Sequence, residues 1–148
     1  MKKGVQVMLL CMGLVFAASQ AAAHCEIPCG IYDDEMRIRM ISEHITTIEK
    51  SMNEIKKLEK ENPLNYNQLI RWVVNKEEHA DKLQEIVTQY FMTQRIKTDA
   101  EEYVKKLELL HKMLVQAMKC KQTIDLEHVE TLRKLLKEFQ DLYLGHSH

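Results

Sequence analysis

The chain has 148 residues, which is room for one domain of ordinary size. With 45 % apolar and 29 % charged residues it has the composition of a soluble globular chain and not of a disordered one. A formal charge of −1 without a basic block argues against a nucleic-acid binder, and 4 Gly with 2 Pro leave too few turn formers for a many-stranded sandwich or barrel.

The first segment reads as an address. Lys2 and Lys3 precede an apolar run, Val7 to Ala18, and then Ser19, Gln20 and the alanines 21–23. This is the layout of a Sec-type secretory signal, with Ala21 and Ala23 forming the cleavage site. The run is shorter than the ~20 residues that a membrane span needs, so no membrane association is expected once it is removed. Residues 1–23 are therefore expected to be lost on export to the periplasm or the extracellular space. The mature chain would then start at His24 with a free amine, and losing Lys2 and Lys3 leaves 19 basic against 22 acidic residues, a net −3.

The body of the chain has helical periodicity. Ile41, Ile45, Ile48, Met52 and Ile55 follow a four-three-four-three spacing, one stripe of a helix that starts near Asp33 or Asp34 and ends before Pro63. Asn65 with Gln68 resembles a capping box for a second helix, whose stripe is Leu69, Trp72, Val73, Lys76, Ala80, Leu83, Val87 and Tyr90. Thr98 with Glu101 predicts the start of a third, with Tyr103, Val104, Leu107, Leu110, Leu114 and Met118 inward. Asp125 caps a fourth, with Leu126, Val129, Leu132, Leu136, Phe139 and Tyr143 inward and Gly145 as its stop. Together they predict an all-α fold: an antiparallel up-and-down four-helix bundle over residues 34–144, with a short tail at 145–148.

Most of the bundle reads as scaffold. Met52, Met113 and Met118 sit at or beside core spacing, and Cys120 reads as a partly buried thiol late in the third helix. Glu108 with His111 is one E-x-x-H pair. A di-iron bundle needs two such pairs plus two more inward glutamates, and Asp125 with His128 is a poor second.

The unusual stretch is residues 24–32, His-Cys-Glu-Ile-Pro-Cys-Gly-Ile-Tyr, an irregular segment punctuated by Pro28 and Gly30. It gathers the His24 amine and ring, the Cys25 amide nitrogen, and the Cys25 and Cys29 sulfurs. Amine, amide nitrogen and Cys25 sulfur can close adjacent chelate rings, and a turn at Pro28 can return the Cys29 sulfur to the same plane, with the His24 imidazole above it. Planar nitrogen and sulfur donors favour Ni(II) or Cu(II), whereas zinc prefers a tetrahedron. A Cys25–Cys29 disulfide pinning the N-terminus of a non-enzymatic secreted bundle is the alternative, in keeping with an oxidising compartment.

Residues 24–33 closely resemble the N-terminal nickel hook of the nickel superoxide dismutase family, H-C-x-x-P-C-G-x-Y, and the runs 64–68 and 75–79 look like that family's helical segments. The resemblance covers residues 24–144. It implies one nickel ion per subunit and disproportionation of superoxide to oxygen and hydrogen peroxide by Ni(III)/Ni(II) cycling. It also implies a homo-hexamer of four-helix bundles with the hooks held between neighbours. His24 would give its amine and an axial imidazole, Cys25 its amide nitrogen and thiolate, and Cys29 the second thiolate. Pro28 would shape the hook, Gly30 would allow the tight return, and Tyr32 would gate the open face. Where some members orient the imidazole with a Glu–Arg pair, this chain has Met40 and His79, and Glu43 with His79 is the expected substitute.

Overall fold

The computed structural model describes Pro28 and residues 30–145, and the leader, His24, Cys25, Cys29 and the last three residues lie outside the described residues. Four α-helices follow in order: α1 (Asp34–Leu58), α2 (Tyr66–Glu85), α3 (Tyr103–Gln122) and α4 (Glu127–Leu144). A π-helical segment, Ile86–Arg95, continues α2 without a break. There is no strand among the described residues, nor a helix long and apolar enough to cross a membrane.

Cross-helix contacts give the directions. His44 and Ser51 of α1 meet His79 and Asn75 of α2, so advancing along one helix means retreating along the other. Lys76 and Gln84 of α2 meet the backbone at Cys120 and Leu114 of α3 in the same reversed order. Asp34 and Glu49 of α1 meet Tyr143 and Arg133 of α4 likewise. Helices joined by short connections thus pack antiparallel to their neighbours in the chain, and α1 closes the ring against α4.

Local chemistry sets the helix starts. The Asp33 carboxylate accepts the Met36 amide at 2.8 Å and caps α1, and the Asn65 side chain does the same for Gln68 at 3.2 Å. Asp125 accepts the Glu127 amide at 3.0 Å at the head of α4. The Thr98–Glu101 box does not start α3. Residues 97–103 form turns, Ala100 N–H to Lys97 and Tyr103 N–H to Ala100, and the helix begins only after Glu102, whose φ of 53° lies in the left-handed region.

The α1 stripe behaves as its spacing predicts. Ile41, Ile45, Ile48 and Met52 are fully buried, each side chain worth about 1.5–3 kcal/mol of transfer free energy. The inward face of α3 matches the expected one only in part. Leu109, Leu110, Met113, Ala117 and Cys120 are buried, while Val104 (75 %) and Met118 (44 %) face outward. Tyr103, Leu107 and Leu114 pack against the core as expected, while small Ala117 and Cys120 take buried positions in place of the bulkier Met118. The π segment makes the other difference. Its widened turns, with the Ile96 N–H bonded to the Phe91 carbonyl five residues back at 2.9 Å, bury the adjacent rings of Tyr90 and Phe91 together. Phe91 stacks edge-on against Phe139 and Tyr143 of α4.

Lys76 is the one charged side chain among the described residues that is nearly fully buried. Its ammonium donates to the carbonyls of Cys120 (2.7 Å), Lys121 (2.6 Å) and Thr123 (3.2 Å). These belong to the end of α3, where carbonyls have no partner within the helix, so α2 caps α3 with a cation placed to suit the helix dipole.

Candidate metal centre

The N-terminal segment enters the bundle through a turn. The Ile31 amide donates to the Pro28 carbonyl at 3.1 Å, and Gly30 has φ 81°. Only glycine takes that conformation without cost, so Gly30 permits the tight return expected of it. Pro28 lines a groove of about 250 Å³ with Arg37, Met40 and His44 of α1, Lys82 and Glu85 of α2, and Tyr90 of the π segment.

Tyr32 is half exposed and held on two sides. Its ring meets Tyr90 edge-on with centroids 5.9 Å apart, and the Arg95 guanidinium lies 4.3 Å above it. Arg95 is itself fixed by Asp34, the first residue of α1, through Nε and Nη2, both at 2.8 Å. The same carboxylate accepts the hydroxyls of Tyr90 at 2.6 Å and Tyr143 at 2.9 Å. Burial works to raise the Asp34 pKa, but the hydrogen bonds from Arg95, Tyr90 and Tyr143 and the charge of Arg95 together hold it below the usual carboxylate range. Burial and the Asp34 carboxylate push the Tyr143 phenol up to about 12 and raise that of Tyr90 further, so both stay neutral donors.

His79 does not pair with Glu43, which points to solvent. Its Nδ1 lies 3.0 Å from Nδ1 of His44, so one ring donates and the other accepts. Burial lowers both pKa values, helped at His44 by the charges of His79 and Lys82 and at His79 by Lys82. Neutral rings able to share one proton are the result. Sequence reasoning passed over His44. Its signal was its place on the α1 face beside the Ile41–Ile45 stripe, which only the packing of α2 makes meaningful.

Among the described residues, no three His, Cys, Asp or Glu side chains come together as a metal site. Glu108 is tied to Lys112 at 2.6 Å on an exposed face and His111 is exposed, so the di-iron arrangement has no inward ligands there. Cys120 is fully buried and burial pushes its thiol up to about 11, which makes it a core residue and a poor ligand. Outside the described residues, His24, Cys25 and Cys29 offer imidazole nitrogen and thiol sulfur, the kind of soft donor set that fits nickel.

Neither a curated protein nor a solved structure matches the chain. The model of one family, described as nickel-containing superoxide dismutase, matches residues 19–147. That span takes in the thiol-rich segment, the turn that seats it and all four helices, which sets aside the non-enzymatic reading: the chain belongs to the nickel-containing superoxide dismutases, oxidoreductases that act on superoxide with a nickel cofactor.

Proposed function

We propose that His24, Cys25 and Cys29 hold the nickel ion after the leader is removed behind Ala23, and that the exported enzyme disproportionates superoxide there. The observation that carries the reading is the order of residues. A histidine that cleavage would bare and two cysteines occupy six positions, 24–29, and the Pro28–Ile31 turn, which overlaps the last two of them, meets the bundle. When bound, nickel would supply one-electron chemistry through its Ni(III)/Ni(II) couple, taking an electron from one superoxide, which becomes oxygen, and passing it to a second, which with two protons becomes hydrogen peroxide.

The chain's own residues supply the surroundings. His24 offers its amine and ring, Cys25 its amide nitrogen and thiolate, and Cys29 its thiolate. Tyr32, braced by Arg95 and Tyr90, narrows the approach and orders water for the arriving anion. His44 lines the groove beside Pro28 and, with His79 bonded to it, stands in for an orienting pair. Assembly as a homo-hexamer is supported by one surface of α2, where Tyr66, Ile70 and Val74 form an exposed apolar stripe at four-residue spacing.

The test is metal content and activity of mature protein beginning at His24. Cys25→Ser and Cys29→Ser lose nickel and dismutase activity while far-ultraviolet circular dichroism stays that of the wild type. Full activity in either variant rejects the ligand set. Size-exclusion chromatography with light scattering reports the assembly, and a monomeric active enzyme rejects the hexamer.

A further inference from the structure

A chain with formal charge −1, and −3 without its leader, has no long-range field that attracts an anion, so superoxide must be drawn by a local cation. We propose that Arg37 is that cation, a guanidinium with no counter-ion among the described residues, set beside Pro28 and on the Tyr90 ring against which Tyr32 packs. The inference rests on the hook being the metal centre.

The two arginines of this region differ in their partners. Arg95 spends its charge on Asp34 in a two-point ion pair. Arg37 has no carboxylate within ion-pair distance among the described residues. Among the described residues its Nη1 reaches only the Met40 sulfur, at 3.8 Å, and its buried Nε meets no acceptor. A buried donor left over in this way asks for a reason.

Geometry holds the charge in place. The guanidinium lies 5.0 Å from the centre of the Tyr90 ring, whose edge-on neighbour is Tyr32. It also lines the groove that holds Pro28. Arg37 therefore lies beside Pro28 and on the ring that Tyr32 packs against. Of the other groups in that groove, His44 is neutral, and Lys82 and Glu85 are exposed and opposite in sign. The half-buried guanidinium is the least screened charge, and its free N–H groups can meet a two-oxygen anion.

The experiment compares kcat/KM for superoxide by pulse radiolysis across ionic strength, at measured nickel content, in Arg37→Gln, Arg37→Lys and Arg39→Gln. Arg39 is the matched control, an exposed arginine 3.5 Å from Glu35 on the same helix. Arg37→Gln keeps its nickel and loses kcat/KM on the order of tenfold at low salt, with the gap closing toward 1 M. Arg37→Lys retains most of the rate and the salt dependence, and Arg39→Gln changes neither. Three results overturn the proposal: Arg37→Gln with full nickel and unchanged rate and salt slope, an equal effect of Arg39→Gln, or nickel loss from a folded Arg37→Gln protein. Activity retained in Cys29→Ser is a separate failure, that of the metal-centre reading.

Discussion

The Arg95 guanidinium grips both carboxylate oxygens of Asp34 across 61 residues of sequence, and through that grip the end of the π segment fixes the residue where the hook joins α1. Arg95 then presents its flat face to Tyr32 at 4.3 Å. A structural ion pair and a proposed gate thus share one side chain. The same carboxylate binds Tyr143 near the end of α4, so the start and finish of the bundle are tied together beside Tyr32.

Removing one partner should cost more than a surface ion pair would. The Arg95 and Asp34 side chains are 25 % and 18 % exposed, and Arg95→Ala leaves a carboxylate with only two hydroxyls. We expect a loss of about 2 kcal/mol in urea unfolding, less than for a fully buried pair because solvent still screens it. Asp34 also carries an acid-side signature. Its pKa is lower folded than unfolded, so its stabilising contribution is present above the ordinary aspartate value of about 4 and is lost as pH falls through the depressed one. In Asp34→Asn the stability curve should be lower at neutral pH and flatter below about pH 4. A slope identical to the wild type there would remove Asp34 from the account.

The histidine pair has a window of its own. Both rings are harder to protonate in the folded protein, so the unfolded chain binds more protons as pH drops below about 6.5. Stability is complete above that value and falls between there and the lowered folded pKa values. Lys82 reinforces the effect, while Glu43 beside His44 and Glu78 beside His79 oppose it. Melting temperature measured at half-unit intervals should decline through this range in the wild type and decline less in the His44→Gln, His79→Gln double variant. Equal declines would show that other groups control the acid side.

The parts of the fold legible in the sequence are those fixed by near neighbours. The α1 stripe from Ile41 to Ile55 needs only a helical period, and the Asp33 and Asn65 caps need only the next three residues. The donors of 24–29 are proposed on the same local ground, since chelation there would depend on adjacent groups, and they lie outside the described residues. What escaped was set at a distance. The π register that buries Phe91 beside Tyr90 leaves no mark in an apolar period. The outward turn of Val104 and Met118 follows from how α3 meets its neighbours. Asp34 with Arg95, and His44 with His79, become partners only when separate helices meet.

Lys76 gives a prediction that does not depend on nickel. Its ammonium is the partner of three carbonyls at the end of α3, and burial pulls its pKa below the ordinary lysine range without removing those acceptors. Lys76→Met keeps much of the volume and leaves the carbonyls unmatched in a dry site. The expected loss is about 3 kcal/mol in urea unfolding, the scale of charged hydrogen bonds whose partners stay buried. Hydrogen exchange should rise first in the last turn of α3 and the 123–126 connection. A loss under about 0.5 kcal/mol would mean that water replaces the ammonium at that helix end.

The N-terminal amine separates the proposed hook from any site built of side chains alone. One extra glycine ahead of His24 preserves both thiols and the imidazole but turns the amine into an amide, whose nitrogen has no free lone pair. The helices lie far along the chain from this change, so circular dichroism and unfolding midpoint should match the wild type. Nickel content at equal metal exposure should fall sharply and dismutase activity should vanish, with intact mass confirming the start of each protein. His24→Ala is the complementary variant, because it keeps an amine and deletes the ring. It should keep part of its nickel and lose most of its rate. An active, nickel-loaded protein with the added glycine would show that the leader can stay attached, and the ligand set would then have to be rebuilt without the terminal nitrogen.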